Sequence, residues 1–527
     1  MRHLGRLTGI WVVLVSLQAG AVPPAPGAGA DGLRLPQDTN RWTCGGAAAP
    51  AQPIASGHGW TFPAQFSALD SGARAYWDAT VDWDLSKADG VALYVFCPDP
   101  FGMADLVLHL HSGGGWYSVT LEVEAANAWW RARARKQNSR TEGNVLGWHT
   151  IDRVRISLWR AVDADAVIHV AGFAPLGNEK QPTAPVRLPA ARSKTEFRGL
   201  WCSDAYGVGD WGWDETVRRV AEEGFNAILP NMAWAGKAYY AGAVLPAASV
   251  VAERGDALAQ CLAACKKHGV ACHVRKLAFN MGYGPKTAFM KQMQSAGRTQ
   301  LRYDGTREER WLCPSHPENQ KLEVAVMAEI ARKYAVDGLH WDYIRYPDKH
   351  TCFCAGCRAR FEKELGHKVT PWPGAIRQDK ALHKGWRAFR RRQITGVVAA
   401  AAQAARAARS GIQMSAAVYI AWPRHREELG QDWKAWCDEG YVDFVCPMNY
   451  TPNNRRFEML VRHQKQWAGT KPVYPGIGLS VWRRGDPLAT LKAQLAVTRS
   501  LHTGGFTVFR CGEEELDKTL PAVAGML

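Results

Sequence analysis

From about residue 40 to residue 176 the chain alternates apolar and polar side chains in short runs. The runs at 91–96 (VALYVF), 105–110, 117–123, 154–159 and 166–170 read as strands. A period of two buries one face of each, and Gly and Asp turns separate them. The pattern predicts a β-sandwich over 40–176. Residues 177–189 are polar and hold Pro182, Pro185 and Pro189, which is the composition of a linker.

Beyond the linker the rhythm changes. Apolar strand-length runs at 199–203, 225–230, 270–275, 336–342, 412–419, 441–446, 473–479 and 505–509 alternate with amphipathic stretches at 214–223, 257–268, 319–334, 384–409, 432–439, 456–467 and 488–502. Eight strands with helices between them predict an α/β domain over 190–527, a (β/α)₈ TIM barrel. Such a barrel closes its own sheet, so the barrel is expected to fold and act without the sandwich.

The first residues belong to neither unit. A basic start, Met1 to Arg6, precedes the apolar run Ile10 to Leu17 and a small-residue Ala19-x-Ala21. This predicts a secretory signal peptide over 1–21, hence a secreted or periplasmic protein. No later run approaches the ~18 apolar residues that a membrane span requires. The net charge is +16, but the basic residues are interleaved with acids and no nucleic-acid-binding module is recognisable. Either a solvated basic surface or attraction to an acidic glycan accounts for it.

Thirteen Cys are spread along the chain, most of them in apolar runs where a thiol acts as a small hydrophobe. His350, Cys352, Cys354 and Cys357 lie within eight residues. Three thiolates and an imidazole satisfy a tetrahedral structural zinc; a local disulfide with a spare thiol is the alternative. No cofactor is expected for catalysis.

Barrel active sites lie at the C-terminal ends of the strands. The fourth such window, VDGLHWDYIRYP (336–347), is the most loaded. Alternation turns Gly338, His340 and Asp342 inward, with Asp342 at the mouth and His340 one layer below it. At the other strand ends stand Asn280, Trp422, Asn449, Tyr450 and Trp482, with Arg345 and Tyr346 after the fourth strand. Amide and guanidinium groups hydrogen-bond hydroxyls, and Trp and Tyr stack on pyranose faces. With His340 these seven form the expected substrate-binding set. Phosphate-cradling, dinucleotide-binding and serine-nucleophile motifs are absent from the sequence.

VDGLHWDYIRYP, WLCPSHPENQ (311–320), GQDWKAWCDEGYVDFVCPMNYT (430–451) and the opening RGLWCSDA (198–205) together resemble the glycosyl-hydrolase-like family ten of secreted bacterial proteins. The resemblance spans about 198–512 and implies a TIM barrel related to the α-amylase-like glycosidases. In those enzymes the fourth strand carries a nucleophilic Asp after an inward basic residue, a spacing that Asp342 and His340 match. The resemblance implies a retaining glycoside hydrolase acting on a polysaccharide, with cell-wall glycan as a candidate. Glycoside hydrolysis usually needs a second carboxyl. The fifth strand carries none, so Glu428 and Asp432 just beyond it are the leading candidates. Glu427, Asp348, Asp204 and Glu513 also qualify by position. A non-catalytic glycan-binding barrel is the alternative. The sandwich resembles galactose-binding-like carbohydrate-binding modules, with Trp116, Trp129, Trp130, Trp148 and Trp159 as a candidate platform.

Overall fold

The computed structural model describes residues 22–27, 32–54, 59–67, 73–177, 195–479 and 486–526. The predicted signal peptide, nearly all of the predicted linker and Trp482 lie outside the described residues.

Two antiparallel sheets form the N-terminal unit. One has six strands, in the spatial order Trp42–Gly46, Arg74–Trp83, Ile151–Arg160, Met103–Ser112, Gly114–Leu121 and Arg140–Asn144. The other has five, ordered Gln52–Pro53, Gly59–Ala64, Ala166–Leu176, Gly90–Phe96 and Trp129–Arg135. Their inner faces bury Phe62, Trp77, Leu93, Leu108 and Ile156, the apolar side of the period-two pattern. Trp130 belongs to this core. Trp148 stacks on Tyr117 at 4.1 Å, and Arg155 covers Trp116 at 4.6 Å. Of the five Trp named above, Trp159 is the one counted as exposed, at 38%.

The C-terminal unit is the expected barrel. Its parallel strands are β1 (Phe197–Cys202), β2 (Ala227–Trp234), β3 (Ala271–Leu277), β4 (Gly338–Asp342), β5 (Gln413–Val418), β6 (Phe444–Pro447), β7 (Gly476–Gly478) and β8 (Gly505–Cys511). Neighbours pair in sequence order, and β8 returns to β1. Between β6 and β7 the ring is joined by a single bridge, Val445 to Val473. Thus the predicted seventh strand is split: residue 473 meets β6, while Gly476–Gly478 meets β8.

Inside the ring Trp201, Leu229, Ala417, Phe444 and Cys446 fill the lumen. Gly338 of β4 leaves room for His273 of β3; a methyl group there would stand 2.2 Å from the imidazole Nδ1. The helices cover the outside with the second apolar set. Helix Lys380–Ala408 buries Trp386, Phe389, Ile394, Val398 and Ala402 on one stripe, as its 3.6-residue period requires. No helix of the described residues is long and apolar enough to cross a membrane.

The sandwich docks on helix Asn454–Ala468, which follows β6. Met459 and Leu460 of that helix are part of the sandwich's own core cluster. Phe101 meets the rings of His463 and Trp467 at 4.9 and 4.7 Å. Asn453 donates to Glu122 and Glu124 at 3.0 and 2.9 Å, and Arg387 pairs with Asp163 at 2.8 Å. A chain beginning at Ala190 keeps every barrel strand but uncovers Met459 and Leu460, each worth ~1.5–3 kcal/mol of burial. We expect this truncated chain to retain its far-UV circular dichroism and to melt several degrees below the full chain. An unchanged melting temperature would show the two units to be energetically independent.

Candidate active site

A cavity of about 300 Å³ opens at the C-terminal end of the barrel. Trp201 and Ser203 line it from β1 and its end, Asn231 and Trp234 from β2, Arg275 and Leu277 from β3, and Asp342 from β4. Tyr343, Arg345, Ala417, Tyr419, Gln431, Met448, Tyr450 and Phe509 complete the wall. Asp342 is the only carboxylate among these lining residues. Its Oδ1 accepts the Tyr343 backbone N–H at 2.8 Å, and its Oδ2 stands 3.6 Å from the Arg275 guanidinium. Tyr343 holds φ at +57°, the left-handed region, so the backbone turns sharply just after the acid. Strain of this kind persists where surrounding packing enforces it, and it clusters at functional sites.

Beneath Asp342 lies His340, fully buried. Its Nε2 accepts from Trp201 Nε1 at 3.2 Å, and Nδ1 faces Ser415 Oγ at 2.8 Å. Because Trp donates only, the imidazole proton belongs on Nδ1, towards Ser415. Burial holds this imidazole far below its ordinary pKa, and the Arg275 charge pushes the same way, so it is neutral. His340 lies in the layer below the cavity and is not among its lining residues, although the sequence placed it in the substrate-binding set. Burial raises the phenols of Tyr343 and Tyr450 above their usual range, and the Asp342 charge adds to both. Both remain protonated donors beside the carboxylate.

The other expected residues divide. Arg345 and Tyr450 line the cavity. Arg345 lies over the rings of Tyr419, Tyr343 and Trp311 at 4.9, 5.1 and 5.2 Å. Tyr346 is wholly buried beneath Arg390. Asn449 is also wholly buried, in a reciprocal amide pair with Gln464 at 2.8 and 2.7 Å. Asn280 is buried and caps Gly282. None of these three lines this cavity, although Asn449 lines a neighbouring one. Trp422 donates to Asp432 at 2.6 Å and is outside the lining.

Neither proposed second acid joins Asp342. Glu428 pairs with Arg424 at 3.0 Å. Asp432 is held by Trp422 and lies 3.7 and 3.8 Å from Arg426 and Arg391. Both belong to an arginine-rich cluster about helix Trp422–Leu429, where arginines compensate their charge, and neither lines the cavity. The expected ligand set at the cysteines also changes. The fourth thiol beside Cys352, Cys354 and Cys357 is Cys313, while His350 turns its Nδ1 to Arg377 at 3.2 Å.

A model of the family described as "Glycosyl hydrolase-like 10" matches residues 196–480, more than half of the chain. The chain belongs to this family. Its matched segment contains β1 to β7 and every cavity-lining residue except Phe509. No curated protein matches the sequence. Among solved structures, the PgaB (BpsB) glycoside hydrolase domain from Bordetella bronchiseptica superposes with a TM-score of 0.51 at 16% identity, covering 62% of this chain and 98% of that one. The catalytic domain of β-amylase from Paenibacillus polymyxa reaches 0.47 at 13% identity over 64% of this chain and 98% of that one. The first of these likenesses bears on the barrel fold.

In this glycosyl hydrolase-like barrel, inward Arg275 and Asn231 are the residues that the reading of strand ends passed over. Asn231 Oδ1 and Arg275 Nε are buried without a protein partner, a costly state unless a ligand or water satisfies them. The alternation that turned His340 and Asp342 inward applies equally to His273, Arg275 and Leu277, so Arg275 was legible.

Proposed function

We propose that the chain is a glycoside hydrolase acting on a polysaccharide, with Asp342 as the carboxylate that attacks or stabilises the oxocarbenium-like centre. The carrying observation is Asp342 at the end of β4, inside a cavity walled by Trp201, Trp234, Tyr343, Tyr419 and Tyr450. Aromatic faces bind pyranose rings, and the unpartnered Asn231 and Arg275 groups suit sugar hydroxyls. A polymer is favoured over a small sugar by a second cavity of about 470 Å³ between sandwich and barrel. The two cavities share Tyr419, Met448 and Tyr450 as a wall. Secretion and a cell-wall substrate accord with the predicted signal peptide.

The lining holds no second carboxyl to protonate the leaving group. Asp204, one residue past the lining Ser203, is the nearest acid along β1. The lone lining carboxylate also favours a second reading, a glycan-binding barrel without turnover. Incubation with a panel of glycans and purified peptidoglycan separates the two. New reducing ends that disappear in Asp342→Asn support hydrolysis. Retention of a glycan on the protein with no cleavage supports binding alone.

A further inference from the structure

We propose that Cys313, Cys352, Cys354 and Cys357 form a four-thiolate site for a zinc-class divalent ion, fastening the loop after β4 to the end of strand Arg307–Leu312. This site is independent of whether the cavity hydrolyses glycans.

The four sulfurs all lie within 4.8 Å of one another. Cys313 Sγ is 3.4 Å from Cys357 Sγ and 3.9 Å from Cys354 Sγ. A tetrahedral ion with metal–sulfur bonds of ~2.3 Å spaces its sulfurs about 3.8 Å apart. None of the four is disulfide-bonded. Two separate stretches of chain converge here, residue 313 and residues 352–357. Cys313 follows strand Arg307–Leu312; Cys352 lies in the loop after β4; Cys354 caps helix Ala355–Leu365, whose first turn carries Cys357.

The surroundings suit thiolates better than thiols. Leu301 N–H points at Cys352 Sγ, and Cys357 N–H at Cys354 Sγ, both at 3.4 Å. Ser315 Oγ is 3.0 Å from Cys357 Sγ, and Arg360 donates to that hydroxyl at 2.9 Å. Such donors to ligating sulfur are the outer shell that orients metal sites. Binding a divalent ion releases four thiol protons and leaves a net charge of −2. Arg360, which donates to the Ser315 hydroxyl beside Cys357, partly offsets this charge. A full set of four protein ligands leaves no open position, so the site is structural. The other cysteine group, Cys261, Cys265 and Cys272, offers three ligands only.

The site's position gives it a consequence. Cys313 lies two residues after Trp311, against which Tyr343 packs at 5.7 Å and Arg345 at 5.2 Å. Both walls of that rim contact are therefore tied to one ion.

Elemental analysis of the purified full chain should find zinc, with one equivalent lost in Cys313→Ser and none lost in His350→Ala. Should Cys313→Ser fail to fold, the wild-type chain carries the test alone. Cobalt(II) exchanged into it should give intense sulfur-to-cobalt charge-transfer bands of a four-thiolate site. Disulfides among the four residues by non-reducing peptide mapping would overturn the proposal. So would a folded, metal-free chain in which all four thiols alkylate, or metal that survives Cys313→Ser but is lost in His350→Ala.

Discussion

Asp342→Asn is expected to lower glycan hydrolysis by on the order of 10⁴-fold, the usual scale for removing an essential catalytic group. The fold should survive. Asn keeps the acceptor that meets the Tyr343 N–H, the bond that anchors the turn after β4. It removes the negative charge facing Arg275. An amide can neither attack an anomeric carbon nor stabilise a developing positive charge as a carboxylate does. Glycan affinity should change far less than turnover, because the aromatic walls and Asn231 are untouched. Turnover, equilibrium binding and a thermal melt on the same preparations check this. Undiminished turnover would move the chemistry to another carboxyl; equal losses of binding and turnover would make Asp342 a binding residue.

The barrel could be read from the chain because its determinants are local. Most strands are largely apolar runs, most long helices have an apolar stripe, and sequential pairing does the rest. The ends were less legible. The first amphipathic stretch, expected from 214, begins as helix Gly212–Glu222 two residues earlier, and Asp214 binds Lys267 and His268 at 2.8 Å each. Helix Trp422–Leu429 was not anticipated, since its mean composition is polar and its apolar side is small.

The site was legible to the extent that it depends on alternation along one strand. Asp342 at the mouth and His340 a layer below follow from register, and the structure has them so. What failed depends on contacts between distant segments. Glu428 meets Arg424 four residues before it, but nothing near Asp432 announces that Arg391, 41 residues upstream, will stand 3.8 Å away. Likewise Cys313 joins three cysteines about 40 residues downstream, while the adjacent His350 is turned away. Proximity in sequence misled at both places because loop chemistry is set by tertiary neighbours.

A second large effect is expected from the barrel wall. Lys276 of β3 and Glu323 of helix Pro317–Lys333 form an ion pair with side chains 7% and 1% exposed. Burial draws Lys276 below its ordinary pKa while the Glu323 charge opposes that pull. Glu323 also accepts the Phe279 N–H at 2.9 Å, where Phe279 holds φ at +59° beyond the end of β3. Glu323→Ala therefore strands a buried ammonium and a buried N–H together. Breaking a buried pair from one side costs about 3–5 kcal/mol. We expect a correspondingly lower urea midpoint, and weaker glycan affinity because the neighbouring Arg275 loses its fixed strand end. The cost should shrink as pH rises towards the ordinary lysine pKa, since a neutral amine tolerates burial and the unfolded chain gives up its proton there as well. Lys276→Met with Glu323→Leu removes both charges and should recover most of the stability. If Glu323→Ala alone leaves the urea midpoint unchanged, water reaches Lys276 and the pair is not a structural element of the barrel.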